Sequence, residues 1–191
     1  GLVKPEDMPR FVGHIHSEAS RLMALISDII RLSQLDEGEE MPRESVDLYD
    51  EAAEAEENLR TAAEEKGVKL SLTGEGAEIS GVRRLVYEII YNLCDNAIKY
   101  NRPGGSVTVT AEKRGGETVL SVADTGIGIA PEDQARVFER FYRADKSRSK
   151  ESGGTGLGLS IVKHAVQYHH GSIDLKSTPG EGTTIKVTFP K

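Results

Sequence analysis

Four polar residues recur at helical spacing in the middle of this chain: Glu88, Asn92, Asn96 and Lys99. Positions three or four apart share one face of an α-helix, so the four form one polar stripe. Leu85, Val86, Ile89, Ile90, Leu93 and Ala97 fall mainly on the other side. A carboxamide offers a neutral oxygen to a hard cation such as Mg2+, and a lysine offers charge to a phosphate. Taken alone, the stripe reads first as the solvated face of an amphipathic helix.

The downstream segments change that reading. Asp124-Thr125-Gly126-Ile127-Gly128 closes an alternating stretch at 119–123. Gly153-Gly154-Thr155-Gly156-Leu157-Gly158 leads into a new helical pattern, and Phe138-Glu139-Arg140-Phe141-Tyr142-Arg143 lies between the two. A buried Asp at a strand end can accept a hydrogen bond from an exocyclic amine such as that of adenine. Glycines let backbone approach a flat ring or phosphate oxygens closely. A Gly-rich stretch running into a helix presents free N–H groups to anions. Either glycine cluster alone is equally an ordinary turn; the ordered set is far more specific.

These residues need elements behind them. Phe11, Ile15, Leu22, Leu25, Ile29 and Leu32 recur at spacings of three, four and seven, a coiled-coil-like seam on one long helix over 10–36. Gly38 suits its stop, and the acidic run at 36–40 marks a linker. Such a helix cannot hide its seam alone. Leu48, Ala52, Ala55, Leu59 and Ala62 predict a helix ending at Gly67, and Val68, Leu70 and Leu72 a strand. The Asn-bearing helix is expected over 82–100, stopped by Pro103-Gly104-Gly105. Strands follow around Val107 and Val109 and around Leu120 and Val122, joined by Gly115-Gly116. Short helical signals lie at 131–138, a helix at 156–169, and a last hairpin turns at Pro179-Gly180. Hairpin-linked strands with helices to cover one face indicate an α+β fold. We expect a two-layer α/β sandwich, its mixed, mostly antiparallel sheet covered on one face by helices, preceded by one long amphipathic helix. The expected divisions are an extended leader at 1–9, the long-helix region at 10–38, a linker at 39–45 and the main domain at 46–191.

With 191 residues the chain has room for one good domain plus an appendage. Its formal net charge of −7 argues against nonspecific binding to nucleic acid or an anionic membrane. The lone Cys94 excludes an internal disulfide, fits a reducing cytosol and is expected to pack in the core. No apolar run is long enough to suggest a membrane span or a signal peptide. Gly1 without a preceding Met is read as the start of a processed or cloned fragment.

The ordered set resembles the N, G1, F and G2 boxes of the catalytic ATP-binding domain of sensor histidine kinases, the kinases of two-component signal transduction. That domain belongs to a wider ATPase group with gyrase-type topoisomerases, mismatch-repair ATPases and heat-shock chaperones. The resemblance extends over 44–191, and a weaker one likens 10–36 to the second helix of the kinases' dimerisation hairpin. It implies ATP and Mg2+ as ligands. Asn96 would coordinate Mg2+, Asn92 would support the metal or contact phosphate, and Lys99 would reach a phosphate. Tyr100 would pack near the adenine and Asp124 would fix its amine. Gly126 and Gly128 would let the chain pass close to the base, with Ile127 and Ile129 as apolar wall or simply core. Arg143 would contact phosphate from a Ser- and Gly-rich lid at 143–154, where Lys146, Arg148 and Lys150 are read as solvated charges. Gly154, Thr155, Gly156, Leu157 and Gly158 would cradle the phosphates. Phe138 and Phe141 would serve either as core or to dock the lid on the dimerisation helices.

Gyrase-type and chaperone ATPases place a water-activating Glu four residues before the metal-binding Asn. Here that position is Asn92, and an amide cannot act as a general base. The resemblance therefore implies γ-phosphoryl transfer to a histidine, for relay to a response regulator aspartate, over the alternatives of a hydrolysing ATPase or a regulatory nucleotide-binding module without kinase activity. The acceptor motif, Ser-His-Glu-Leu-Arg-Thr-Pro-Leu or close to it, has no match in these residues. His14 and His16 fall on the segment resembling the second hairpin helix. The isolated chain is thus not expected to phosphorylate itself, whereas an intact hairpin of the same kinase in trans could serve as acceptor. The other implied partners are a response regulator receiver domain and a second copy of the full-length protein. Neither nucleic acid nor membrane contact is expected of this stretch, which would be the cytoplasmic portion of a membrane-anchored bacterial sensor. His164, His169 and His170 sit near a helix end, where cationic side chains suit the dipole.

Overall fold

A computed structural model describes residues 4–36, 40–144 and 155–190. In chain order the elements are α1 (Met8–Asp36), β1 (Glu44–Asp47), α2 (Leu48–Lys66), β2 (Lys69–Gly74), β3 (Glu78–Gly81) and α3 (Arg83–Lys99). There follow β4 (Ser106–Arg114), β5 (Glu117–Asp124), α4 (Pro131–Gln134), α5 (Gly158–Tyr168), β6 (Ser172–Thr178) and β7 (Gly182–Phe189). The large sheet has the order β2-β4-β5-β7-β6, with β2 parallel to β4 and every other pair antiparallel. The parallel pair is possible because α3 lies between β2 and β4 in the chain and carries it back across. Along β4, Val107, Val109 and Ala111 point inward while the residues between them are half-buried. Helices α2, α3 and α5 cover that inner face, where Leu59, Ile90 and Val162 meet Val107, Leu120 and Val187 in one cluster. This is the expected α+β sandwich with one helical layer.

Local chemistry explains most of the boundaries. Asp47 caps α2: its Oδ1 accepts from Tyr49 N at 2.8 Å and from Ala77 N at 3.1 Å. Gly67 closes the same helix at φ 68°, a left-handed conformation that glycine adopts without a Cβ clash. Between these ends the buried alanine of the last turn is Ala63, and the expected Ala62 is exposed.

Three segments differ from expectation. The leader is not extended to Pro9: a 3-10 turn at Pro5–Asp7 runs into α1 at Met8. Proline is tolerated in a first helical turn, whose N–H groups lack intrahelical acceptors. The linker ends in β1, which pairs with β3 as a separate two-stranded sheet with Val46 opposite Ile79. Four-residue strands are too short for periodicity to reveal them. The helical signals at 131–138 yield only the single turn α4.

Helix α1 lies mostly outside this sandwich. Phe11, Ile15, Leu22 and Ile29 of its seam are exposed, and Leu32 is its one buried hydrophobic residue among those described. No helix among the described residues is long and apolar enough to cross a membrane.

Cys94 and His169 are titratable side chains built into the core. Cys94 is buried and its thiol is pushed up to about 12, which leaves it a packing residue. His169 is 4% exposed and does not serve as a cation at the end of α5. Val82 N donates to its Nε2 at 3.0 Å, so the ring proton sits on Nδ1 and is donated to Ala165 O at 2.7 Å. Burial holds its pKa below the ordinary 6.5. Its contribution to stability is complete above the unfolded value and is lost as pH falls through the lowered native one. Protonation would remove the acceptor that meets the start of α3. We expect the thermal midpoint, followed by circular dichroism, to drop more steeply below about pH 6.5 in the wild-type chain than in His169→Gln.

Candidate functional site

The polar stripe of α3 does not stay one surface; its members face different partners. Asn92 donates from Nδ2 to Glu88 O at 2.8 Å, one turn back on its own helix. That leaves its Oδ1 directed at the start of α5, where a Cβ on Gly158 would stand 2.9 Å from it and 3.7 Å from Asn96 Nδ2. Any side chain at 158 would fill the space that the two amides share. The Asn96 side chain makes no hydrogen bond to another described residue, and its Nδ2 borders the same space beside Gly158. Lys99 Nζ lies 2.6 Å from Asp95 Oδ2, and both side chains remain partly open to solvent.

Glu88, expected on the same face, is 6% exposed and points at α1. Its nearest cation is Arg31, with Nε 3.4 Å from Oε1, and neither carboxylate oxygen has a hydrogen-bond partner. Burial raises its pKa, with Arg31 and Arg84 acting against that.

The strand-end aspartate and its loop form a second wall. Asp124 Oδ1 accepts from Gly126 N at 2.8 Å and from Thr183 N at 3.3 Å, while Oδ2 has no donor among the described residues. Burial raises the Asp124 pKa, and the two backbone donors work against it. Gly126 presses on the end of α3: a Cβ there would be 2.5 Å from Tyr100 O. Ile127 N donates to the same oxygen at 3.0 Å, and Ile127 O accepts from Gly180 N at 2.8 Å. Gly128 has φ 70°, and a Cβ on it would meet Thr178 O at 2.1 Å. The Tyr100 side chain is exposed. The sequence reading missed the residues that hold this loop, among them Ser177, whose Oγ accepts from Ile129 N at 2.8 Å, and Gln134, which donates to Ile129 O at 3.0 Å and Ser177 O at 2.9 Å. Only Thr183 had a signal, lying directly after the turn glycines Gly180 and Gly182.

The aromatic-basic and Gly-rich segments meet at Gly156. Phe141, exposed and at φ 63°, donates from N to Gly156 O at 3.0 Å, and Gly156 itself sits at φ 76°. The Arg143 side chain passes close by, with Cγ 3.3 Å from the place of a Gly156 Cβ. Phe138 is half-buried. Thr155 and Leu157 turn toward α1. Thr155 Oγ1 donates to Asp28 Oδ2 at 2.8 Å and accepts from Leu157 N at 3.3 Å. Leu157 is fully buried in a cluster with Leu32 and Ile161, against which Leu25 packs. Its side chain therefore packs against the helices and does not wall a pocket. Gly154, and the expected lid from residue 145 onward, lie outside the described residues.

The chemistry of these groups is compatible with a nucleotide and a metal: a carboxylate oxygen of Asp124 with no donor among the described residues, backbone brought close by glycines, and two amides beside a helix start. The Histidine kinase-, DNA gyrase B-, and HSP90-like ATPase family matches residues 81–191, more than half of the chain. The chain belongs to this family. Within it, this is the ATP-binding catalytic domain of sensor histidine kinases. The sensor-like histidine kinase SenX3 of Mycolicibacterium smegmatis is 41% identical over 189 residues, covering 98% of this chain and 49% of the relative. The chain therefore spans about half the length of that protein. A solved structure of the mycobacterial sensor histidine kinase MprB is 29% identical with a TM-score of 0.68, covering 78% of this chain and 97% of that one. Full-length ShkA, solved in complex with AMPPNP, is 26% identical with a TM-score of 0.81, covering 100% of this chain and 40% of that one.

In this kinase domain the glycine loop after Asp124 has no room for a methyl group. Gly128→Ala combines an unfavourable φ with a backbone collision and should cost about 1–3 kcal/mol. The expected readout is a lowered denaturation midpoint together with weaker ATP binding by calorimetry; a midpoint equal to wild type would mean the loop can move aside.

Proposed function

We propose that the domain binds ATP with Mg2+ and passes the γ-phosphoryl group to a histidine on an intact dimerisation hairpin, for relay to an aspartate of a response regulator receiver domain. The observation that carries this reading is the fit of Gly158 against the two amides of Asn92 and Asn96. It supports the reading because a helix start, suited to anions, stands beside two amides whose oxygens could serve a phosphate-bound cation. The metal would be held by Asn96, with support from Asn92, and supplies neutralisation of phosphate charge. Lys99 would reach phosphate by exchanging Asp95 for it. Arg143, Thr155, Gly156 and Gly158 would line the phosphate side, Leu157 would contribute backbone, and Gly154 belongs to the same expected set. Asp124 would take the adenine amine, and Gly126, Ile127, Gly128 and Tyr100 would border the base.

A hydrolysing ATPase would need a general base where Asn92 stands. Glu88, one turn away, is buried and engaged by Arg31. Water is thus left without an activating carboxylate at that position, and transfer to an external imidazole is favoured. The full-length protein is proposed to work as a homodimer anchored in a bacterial membrane with this region on the cytoplasmic side.

Labelled ATP incubated with the chain should label an intact hairpin supplied in trans and leave the chain alone unlabelled. Steady phosphate release that disappears in Asn92→Ala would support hydrolysis instead. Asn96→Ala should abolish Mg-dependent ATP binding in calorimetry while the circular dichroism spectrum stays unchanged; unaltered affinity would sink the metal assignment. Asp124→Asn should lose preference for ATP over GTP, and retained selectivity would count against its contact with the adenine amine.

A further inference from the structure

Helix α1 lies outside the matched family domain at 81–191, yet one face of it touches both α3 and the segment that starts α5, the two helices that meet at the proposed nucleotide site. Asp28 Oδ2 receives the Thr155 hydroxyl at 2.8 Å, and that hydroxyl also accepts Leu157 N. Leu157 precedes Gly158, and α5 has no other side-chain cap. Three residues further along α1, Arg31 lies 3.4 Å from the buried Glu88 carboxylate. Glu88 in turn offers its carbonyl to Asn92 Nδ2. One tether therefore fixes the start of α5 and the other fixes the turn of α3 that carries Asn92, across the gap where Gly158 meets the amides.

We infer that Asp28 and Arg31 are positioning residues for nucleotide binding: α1 holds the start of α5 and the Asn-bearing helix at the separation that suits the phosphates and their metal. The tethers differ from ordinary surface contacts in one respect. An exposed ion pair contributes little, but Glu88 has no hydrogen-bond donor, so loss of Arg31 leaves a buried carboxylate with only Arg84 to compensate it. The Asn92 turn then shifts or draws in water. By linkage, whatever α1 contributes to nucleotide affinity, nucleotide returns to the docking of α1.

The inference rests on the proposed nucleotide site, so the test reads the two separately. In the full chain, Asp28→Ala and Arg31→Met should weaken Mg-ATP binding about five- to tenfold by calorimetry. Adenosine affinity, measured by competition, should stay within about twofold, because neither residue borders the base. Arg31→Lys should recover most of the ATP affinity. Hydrogen exchange of residues 25–32 should slow on addition of AMPPNP in the wild-type chain and not in the variants. A wild-type chain that binds ATP while both variants bind it equally well overturns this inference alone. A loss shared equally by ATP and adenosine, with a lowered thermal midpoint, reduces α1 to a general packing role and also overturns it. A wild-type chain without ATP affinity overturns the nucleotide site and this inference together.

Discussion

The proposed site depends first on the meeting of α5 with α3 at Gly158. A methyl group there would stand 2.9 Å from Asn92 Oδ1, so a larger residue at 158 would push the amide aside. That approach brings a helix start, with its unpaired N–H groups, against two amides on a neighbouring helix. The sheet exists, for the purposes of the site, to keep it. Helices α3 and α5 both lie on its inner face, and β5 delivers Asp124 to the same end of the layer. The loop after Asp124 is then laid over the last turn of α3 by two contacts with Tyr100 O, again at a glycine.

Burial of polar groups follows three different solutions, each with a consequence. Asp124 keeps one oxygen occupied by backbone donors, and the other has no donor among the described residues. His169 is satisfied on both nitrogens as a neutral ring, which joins the end of α5 to the start of α3 without charge. Glu88 is the unbalanced one, since its carboxylate meets guanidinium charge but no hydrogen-bond donor. An unbalanced buried acid is costly to leave alone. Its natural partner sits on α1, so the core of the domain and the long helix are energetically tied although most of that helix packs on nothing described.

Much of the site was legible because glycine and asparagine announce their reasons locally. Gly126, Gly128 and Gly158 stand where a Cβ would collide, and Asp124 ends its strand as the alternation of β5 implied. The stripe on α3 was correctly placed on one helix, yet its common face proved to be three environments, because α1, α5 and Asp95 each claim a part of it. Thr155 and Leu157 sit in the expected segment with side chains turned to α1, a direction that spacing does not encode. The pairing of β1 with β3 and the props at Ser177 and Gln134 depend on residues far away in the chain, and no local pattern marks them.

By itself the sequence determined the elements, the order of the motifs and the chemistry available to them. Those depend on periodicity, on capping and turn residues, and on which atoms each side chain carries, all of which are properties of short stretches. Only the tertiary structure decided which of those atoms face each other. It took Glu88 off the shared polar face and set it against Arg31 of α1, made His169 a neutral brace where a helix-end cation was expected, and set Asn92 and Asn96 against Gly158. The reason is that burial and pairing are fixed by elements that come together from distant parts of the chain, and a charge or an amide takes its role from the partner it meets there.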